Sequence, residues 1–263
     1  IASLLRRRLF RRTSCPYGLS CYNGAKPNAK HFRLETNWEG NAVKLEAVIW
    51  DLDGTLTDST ALHYGAWKEI MAAQGIDYSL ELFLSGYGRN NFEILAEQVP
   101  SFSPAKIAEV SEEKEQVYRR LLQPGALALL PGVADWLQQC RELGLRQVVG
   151  SSAPMANITA MLHVLGVSDY FHALLSGYRV PRGKPDPLLF LRCAASVDAA
   201  PAACLVIEDS IYGIEAAHRA GMRSVAVGAI AYSDAIKHYI DSKEPPCQAA
   251  ATLAELSPIT VFS

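Results

Sequence analysis

The sequence predicts an α/β fold in which a parallel β-sheet forms the core and an all-helical segment is inserted into it. From Leu45 onward, short apolar runs alternate with segments of helical periodicity, as in proteins built on a parallel sheet. The stretch 59–123 differs, because it reads as consecutive helices with no strand pattern. We therefore predict a core domain of residues 43–58 and 124–263 and a helical cap domain of residues 59–123.

Four apolar runs predict the strands of the sheet. The first is AVIW at 47–50, and each of the four is apolar and then ends in small or acidic residues. Continuous apolar runs of this length are typical of strands that are buried on both faces of a sheet. The other three runs are RQVVGSS at 146–152, CLVIEDS at 204–210 and SVAVG at 224–228.

Capping residues mark several helix ends. Ser103 followed by Pro104 predicts a helix that runs to about Leu122, since proline is favoured at the first helical position. A helix that begins near Pro154 is expected to end before Gly166, a residue type common just after helices. Two further helices are predicted from about Ser59 to Gly75, and around the spaced residues Val133, Trp136, Leu137, Cys140 and Leu143.

The first 42 residues do not show the periodicity of a stable helix or strand, and we predict a basic, disordered extension. Residues 1–34 hold eight Arg or Lys and no Asp or Glu. An organellar transit peptide shares this composition. We prefer another hypothesis: the chain has no initiating Met, and the sequence from Val43 resembles a natural protein start, so Val43 would be a misread alternative start codon. The chain from Val43 onward would then be active by itself.

Composition restricts the classes of partner. The net charge is −2, and since the extension is basic, the rest of the chain is acidic, which argues against a nucleic-acid partner. No apolar run is long enough for a membrane span. The six cysteines are scattered without a CxxC pair, as expected of reduced core cysteines in a cytoplasmic protein. A monomer is favoured, although the sequence leaves the oligomeric state open.

Asp51 and Asp53 come directly after the first predicted strand. Residues two apart in an extended segment point the same way, so both carboxylates can face the crevice at the carboxyl end of the sheet. Gly54 then allows a sharp turn. Carboxylates that simply cap a loop or helix are the alternative, but the ends of other predicted strands also carry polar groups.

These other strand ends supply groups that suit a phosphate and a cation. Ser151 can offer a hydroxyl group to a phosphate oxygen, and Glu208 with Asp209 adds two carboxylates. Four acids at one crevice would be mutually destabilising without a cation, and Mg²⁺ prefers such oxygen ligands. Lys184, held between Gly and Pro in RGKPDP, is a candidate for a positioned positive charge.

Together these motifs resemble a known family. DLDGTLTDS, the Ser of VVGSS, the Lys of GKPDP and the acidic pair of IEDS stand in the order of the four motifs of the haloacid dehalogenase superfamily. The resemblance extends from about Leu45 to Val227 and is strongest to the β-phosphoglucomutase-like phosphatases. It implies a Rossmann-like core under a helical cap, and a small phosphorylated metabolite as substrate.

The resemblance also implies roles for the acidic residues. Asp51 would attack the substrate phosphorus, and Asp53 would protonate the leaving oxygen and then deprotonate the hydrolytic water. A carboxylate nucleophile divides one difficult displacement into two, and an alkoxide leaves poorly without a proton. Mg²⁺ would be held by the Asp51 carboxylate, the Asp53 backbone carbonyl and Asp209, with Glu208 nearby.

Residues in other motifs would bind the substrate. Ser151 and Lys184 would hold the phosphoryl oxygens. In the subfamily, residues that match His63, Trp67 and Arg89 line the cap side of the active site. Trp67 as an ordinary core residue and His63 as a partly buried histidine are the simpler interpretations.

Three functions remain in competition. We favour a Mg²⁺-dependent phosphatase that hydrolyses a small phosphate monoester, with a sugar phosphate as the first candidate, through an aspartyl-phosphate intermediate. A β-phosphoglucomutase-type mutase is the alternative. Its second phosphate site would use polar residues where this chain has Ala153, Pro154 and Met155, whereas Asn157 could replace them and His63 with Arg89 favours the mutase. A catalytically inactive ligand-binding domain on the same fold is the third, and such a domain has no reason to tolerate this much crowded charge.

Overall fold

In the computed structural model, residues 43–86, 91–178, 180, 182–242 and 245–256 are described. Six parallel strands form one sheet. Their bounds are β1 Ala47–Trp50, β2 Arg146–Ser151, β3 Ala173–Ser176, β4 Cys204–Glu208, β5 Arg223–Val227 and β6 Cys247–Ala250.

The helices of the described residues fall into two groups. Between β1 and β2 the chain forms α1 Thr60–Ala73, α2 Leu80–Gly86, α3 Asn91–Gln98, α4 Pro104–Leu121 and α5 Val133–Glu142. The remaining helices alternate with strands and are α6 Met155–Leu165, α7 Leu188–Ala195, α8 Ile211–Arg219 and α9 Asp234–Ser242.

The strand order places a ligand-binding crevice at the end of β1. The order is β3-β2-β1-β4-β5-β6, so the chain leaves β1 on one side and returns at β4 on the other. Open α/β sheets bind ligands at the carboxyl ends of strands where the order reverses in this way. The register sets Trp50 opposite Val149 and Ile207. Residues that follow these three positions therefore meet at one edge of the sheet.

The fold class that the sequence predicts is confirmed, and all four predicted strands are present. Ser103 caps α4, since its side chain accepts a hydrogen bond from the Lys106 amide. Gly166 follows α6 with a left-handed φ of 70°. The division into a core and a cap domain stays a prediction, although α1 to α4 do lie between β1 and β2 without an intervening strand among the described residues.

Two further observations concern the predicted class of protein. Among the described helices, none combines the length and the apolar character that a membrane crossing requires. The four cysteines in the described part of the chain, Cys140, Cys193, Cys204 and Cys247, are buried and carry free thiols. Residues 1–42, which include the predicted extension, lie outside the described residues.

Candidate active site

Asp51 is a buried carboxylate at the end of the central strand. Its amide donates to the Ile207 carbonyl at 3.0 Å, which continues the β1–β4 ladder by one residue. The ammonium group of Lys184 lies 2.5 Å from Asp51 Oδ1 and 2.6 Å from Glu208 Oε1. Burial raises the pKa of Asp51 to about 7, against the opposing charge of Lys184. One buried cation thus bridges two buried carboxylates.

Three carboxylates form a group that suits a divalent cation. Oxygen atoms of Asp51, Glu208 and Asp209 lie within 4.8 Å of one another. Burial, followed by the charges of Glu208 and Asp51, raises the pKa of Asp209 well above its ordinary value. When all three carboxylates are ionised, their negative charge exceeds the single positive charge of Lys184. Clustered oxygen ligands of this kind are those that Mg²⁺ prefers. The residues present therefore fit the predicted metal.

Gly54 makes room for Asp209. It adopts a left-handed φ of 82°, and a Cβ atom there would lie 1.9 Å from Asp209 Oδ2. Both the backbone conformation and the close approach require glycine. The glycine of the DLDG motif thus permits the third carboxylate to reach the site.

The N-cap and the first turn of α8 hold Glu208 in position. The Ser210 amide donates to Glu208 Oε2 at 2.7 Å, and Ser210 Oγ in turn accepts from the Gly213 amide at 3.0 Å. A Cβ atom on Gly213 would lie 1.9 Å from Glu208 Cδ. The first turn of α8 therefore packs directly against this carboxylate.

Asp53 contacts a separate set of partners. Its Oδ1 atom accepts a hydrogen bond from Ser59 Oγ, and His63 Nε2 lies 3.3 Å away. Burial raises the pKa of Asp53, but the hydrogen bonds from His63 and from the Ser59 hydroxyl group, with the charge of Lys114, outweigh burial and hold the pKa below its ordinary value. Two carboxylates only two residues apart thus have different environments.

His63 connects Asp53 to the helical segment. Its ring stacks on Tyr118 with centroids 4.1 Å apart, and its Nδ1 atom lies 2.9 Å from Lys114 Nζ. An ammonium group can only donate, so Nδ1 accepts and a neutral His63 carries its proton on Nε2, facing Asp53. This tautomer is assigned from the hydrogen-bond partners. His63 therefore donates to Asp53.

Ser151 is the last residue of β2 and is buried. Its Oγ atom accepts from the Ala153 amide at 3.1 Å, which leaves its own O–H group to donate. This arrangement is compatible with the predicted contact to a phosphoryl oxygen.

A cavity of about 320 Å³ joins the edge of the sheet to the helical segment. Eight of the nine predicted site residues line it: Asp51, Asp53, His63, Trp67, Ser151, Lys184, Glu208 and Asp209. The ninth, Arg89, lies outside the described residues. Trp67 is also part of the hydrophobic core, so its simpler interpretation holds alongside the predicted one. The catalytic and binding roles of these residues stay predictions.

The sequence analysis missed Lys114, Glu115 and Asn91, which also line the cavity. Lys114 and Glu115 stand in the charged run SEEKEQ of α4, which looks like a solvated helix face. A signal was present in the helical spacing. Val110, Lys114 and Tyr118 are each four residues apart, so Lys114 falls on the buried stripe of α4.

Comparison with known proteins places this geometry in context. A family model described as haloacid dehalogenase-like hydrolase matches residues 45–221. The protein CbbY of Rhodobacter capsulatus is 34% identical over 194 residues, which cover 70% of this chain and 85% of that protein. Hexitol phosphatase B of Escherichia coli is 32% identical over 185 residues, covering 70% of this chain and 83% of that protein. The crystal structure of β-phosphoglucomutase from Clostridium difficile is 28% identical, with a TM-score of 0.70 over 82% of this chain and 95% of that one.

Proposed function

The chain belongs to the haloacid dehalogenase-like hydrolase family and is a phosphoric monoester hydrolase of that type, and we propose that it hydrolyses a small sugar phosphate through an aspartyl-phosphate on Asp51. The observation that carries this proposal is the shared cavity. It brings a buried carboxylate, a cation-binding group of oxygens and an ammonium group to the end of one strand. These are the components that phosphoryl transfer requires, since it depends on positioning and charge neutralisation.

In the first step Asp51 attacks the phosphorus atom and the bond from phosphorus to the leaving oxygen breaks. Asp53 gives its proton to that oxygen, so an alcohol departs and an aspartyl-phosphate remains. A phosphate dianion in the cavity adds negative charge near Asp53 and raises its pKa, which favours the protonated form at this stage.

In the second step Asp53 takes a proton from water, and the water oxygen attacks the same phosphorus atom. Inorganic phosphate leaves and the Asp51 carboxylate is restored. The hydrogen bond from His63 stabilises ionised Asp53, which is the form that must accept this proton. His63 and Lys114 thereby act as positioning residues for Asp53.

In this proposal Mg²⁺ would be the resident metal, and the Asp51 and Asp209 carboxylates and the Asp53 carbonyl group would hold it, with Glu208 nearby. When bound, it would neutralise negative charge on the phosphoryl oxygens. Ser151 and Lys184 would hold those oxygens as well. Lys184 already contacts Asp51 and Glu208, so it also keeps the nucleophile in place.

A phosphomutase is the second candidate, because one of the similar structures is a β-phosphoglucomutase. Such an enzyme must bind a bisphosphate in two orientations and therefore needs a second phosphate site. After Ser151, however, this chain has the nonpolar residues Ala153, Pro154 and Met155. If glucose 1-phosphate were converted to glucose 6-phosphate faster than inorganic phosphate appeared, the mutase would be favoured.

The test is a phosphate-release screen over sugar phosphates, phosphoglycolate and nucleotides with Mg²⁺. We expect turnover with at least one sugar phosphate, and a loss of at least roughly 10³-fold in Asp51→Asn with the fold unchanged. Circular dichroism of both proteins supplies the control. If no ester released phosphate, an inactive binding domain would be favoured, and if Asp51→Asn kept near wild-type activity, Asp51 would not be the nucleophile.

We also propose that the predicted core domain forms one wall of the cavity and the predicted cap domain forms the other. The cytoplasm is the proposed compartment for the enzyme.

A further inference from the structure

A chain of hydrogen bonds runs from α6 through α4 to Asp53. Asn157 on α6 donates through its amide nitrogen to Glu115 Oε2 at 2.6 Å. Lys114 Nζ lies 2.9 Å from Glu115 Oε1 and 2.9 Å from His63 Nδ1. The last link is the 3.3 Å contact between His63 Nε2 and Asp53 Oδ1. Two buried residues that the proposed mechanism does not use, Glu115 and Asn157, are therefore connected to its acid and base.

Two cations fix the direction of this chain, because guanidinium and ammonium groups can only donate hydrogen bonds. Arg119 donates to Asn157 Oδ1 at 2.9 Å, so the amide nitrogen of Asn157 is the atom that faces Glu115. At the other end, Lys114 donates both to Glu115 and to His63 Nδ1. Because Nδ1 accepts, a neutral imidazole carries its proton on Nε2.

Glu115 is the junction of the chain. It is 3% exposed, and among the described residues Asn91, Lys114 and Asn157 donate to it, from α3, α4 and α6 respectively. Burial raises the pKa of Glu115, but the charge of Lys114 and the hydrogen bonds from Lys114 and Asn91 hold the pKa below its ordinary value. The carboxylate is therefore ionised at neutral pH and is held from three helices.

This carboxylate supports the charged form of Lys114. Lys114 is 2% exposed, and burial lowers the pKa of its ammonium group, whereas the charge and the hydrogen bond of Glu115 oppose this effect. A neutral amine could accept a hydrogen bond from Nδ1–H of His63, and the imidazole proton would then leave Nε2. The Glu115 carboxylate thus favours the tautomer of His63 that donates to the general acid and base.

We infer that Glu115 and Asn157 are positioning residues for Asp53. They keep Lys114 as a donor, and Lys114 in turn keeps the proton of His63 on Nε2. This role rests on the proposed phosphatase function and extends its supporting residues to α6. Asn157 is fully buried, so it acts without touching a substrate.

The tautomer of His63 is measured directly by long-range ¹H–¹⁵N NMR of the full chain labelled with ¹⁵N-histidine. Spectra are recorded without substrate at about pH 8, where histidines are mostly neutral, and His63→Gln identifies the resonances of His63. Wild type should carry the proton on Nε2. Glu115→Gln should lower the ratio of the Nε2–H to the Nδ1–H form at least about tenfold, because the loss of a hydrogen bond to a charged group shifts an equilibrium by that much.

Asn157→Leu tests the far end of the chain. It removes the donor to Glu115, while Arg119 is partly exposed and retains Glu112 at 3.8 Å. The tautomer ratio should change in the same direction as in Glu115→Gln, by about threefold, since two donors to Glu115 remain. The matched control is Glu109→Gln, which removes the same charge from an exposed Lys–Glu pair of α4 and should leave the ratio unchanged.

Phosphate release with Mg²⁺ is the second readout, with fructose 6-phosphate or the best ester of the screen as substrate. Glu115→Gln should lower kcat at least about tenfold, as expected when a general acid and base is less well positioned. Asn157→Leu should lower kcat with KM changed less than about threefold, because it removes no contact to the substrate. Glu109→Gln should keep the wild-type kcat.

A wild-type His63 that carried a proton on Nδ1 would overturn the inference, whether or not the variants fold. A folded Glu115→Gln or Asn157→Leu with an unchanged tautomer ratio would overturn it too, even if kcat fell, since the residue would then have a structural role only. These outcomes leave the phosphatase proposal standing, because the spectra do not depend on turnover. Absence of phosphate release by wild type from every ester of the screen would instead contradict the proposed function, and the positioning role with it.

Discussion

At the scale of single residues, the buried carboxylates of the site differ in whether a cation lies beside them. Asp51 and Glu208 share Lys184, and Glu115 has Lys114, while Asp209 has a raised pKa and no cation of comparable proximity among the described residues. Buried ions are tolerated when they are paired or bind metal. Asp209 is thus the residue whose environment most needs the proposed Mg²⁺.

The Glu115–Lys114 pair makes acid sensitivity a testable property. The folded-state pKa of Glu115 lies below its ordinary value of 4.5, so its stabilising effect is complete above that value and is lost as pH falls through the lowered pKa. Removing one member of a buried pair costs about 3–5 kcal/mol. Glu115→Gln should therefore lower the free energy of unfolding by about that amount near pH 7.

Urea denaturation at several pH values checks this prediction. The difference between wild type and Glu115→Gln should shrink as pH falls below about 4.5, since wild-type Glu115 is then protonated as well. Glu112→Gln, at an exposed position, should differ from wild type by less than about 1 kcal/mol throughout. A difference that stayed constant or grew on acidification would show that the contribution of Glu115 to the free energy of unfolding does not depend on its charge.

The residues after the strands could be predicted because their chemistry is local. A polar residue at the carboxyl end of a buried strand in a parallel sheet lies at the crevice along that edge, so Asp51, Ser151 and Glu208 could be predicted from their positions in the chain. Glu115 was not, because the choice between a solvated and a buried face of α4 depends on what packs against that helix. Asn91 and Asn157, its partners, come from two other helices.

At the scale of elements, the first turn of α8 positions the site through close packing. Gly213 sits where a Cβ atom would overlap Glu208 Cδ at 1.9 Å. Helix propensity alone favours alanine over glycine by about 1 kcal/mol. An alanine at position 213 should therefore disturb the Glu208 carboxylate although it favours the helix itself.

Gly213→Ala should displace the Glu208 carboxylate and lower turnover about 10²-fold, because small displacements in a catalytic site are this costly. Gly65→Ala in α1 is the matched control, since its Cβ atom would meet Leu121 Cδ1 at an ordinary 3.5 Å. That control should keep its turnover and gain up to about 1 kcal/mol in the free energy of unfolding. Steady-state kinetics and thermal melts measure both, and equal turnover in the two variants would contradict the account.

Strand prediction succeeded in the centre of the sheet and failed at its edges. β1, β2, β4 and β5 are rich in valine and isoleucine and mostly buried, so their apolar runs are distinct. The missed strands, β3 with ALLS and β6 with CQAA, are the two edge strands. Alanine is a weak strand former, and short edge strands form because a neighbouring strand offers hydrogen bonds. The residues of β3 and β6 by themselves therefore give little indication that these segments form strands.

At the scale of the whole molecule, the cavity depends on the packing of the helical segment over the sheet. α4 and α6 are in contact, and Asn157 on α6 donates to Glu115 on α4. The sequence indicated a helical insertion, but the side of the insertion that faces the sheet is a property of the assembled fold. The cavity therefore appeared only in the structure.

Metal removal tests the assembled site. Chelation with EDTA should abolish phosphate release, and added Mg²⁺ should restore it and raise the melting temperature, because a ligand that binds the folded state stabilises it. In Asp209→Asn both effects of Mg²⁺ should weaken. Full activity in EDTA would contradict the metal proposal.

The most direct test of the central claim is to acid-quench the enzyme during turnover of its best substrate and to map the phosphoryl group by peptide mass spectrometry. The account predicts that the peptide containing Asp51 gains the mass of one phosphoryl group, and that this mass is absent in Asp51→Asn. A phosphoryl group found on another residue, or turnover with no phosphorylated peptide under conditions that trap acyl phosphates, would contradict it.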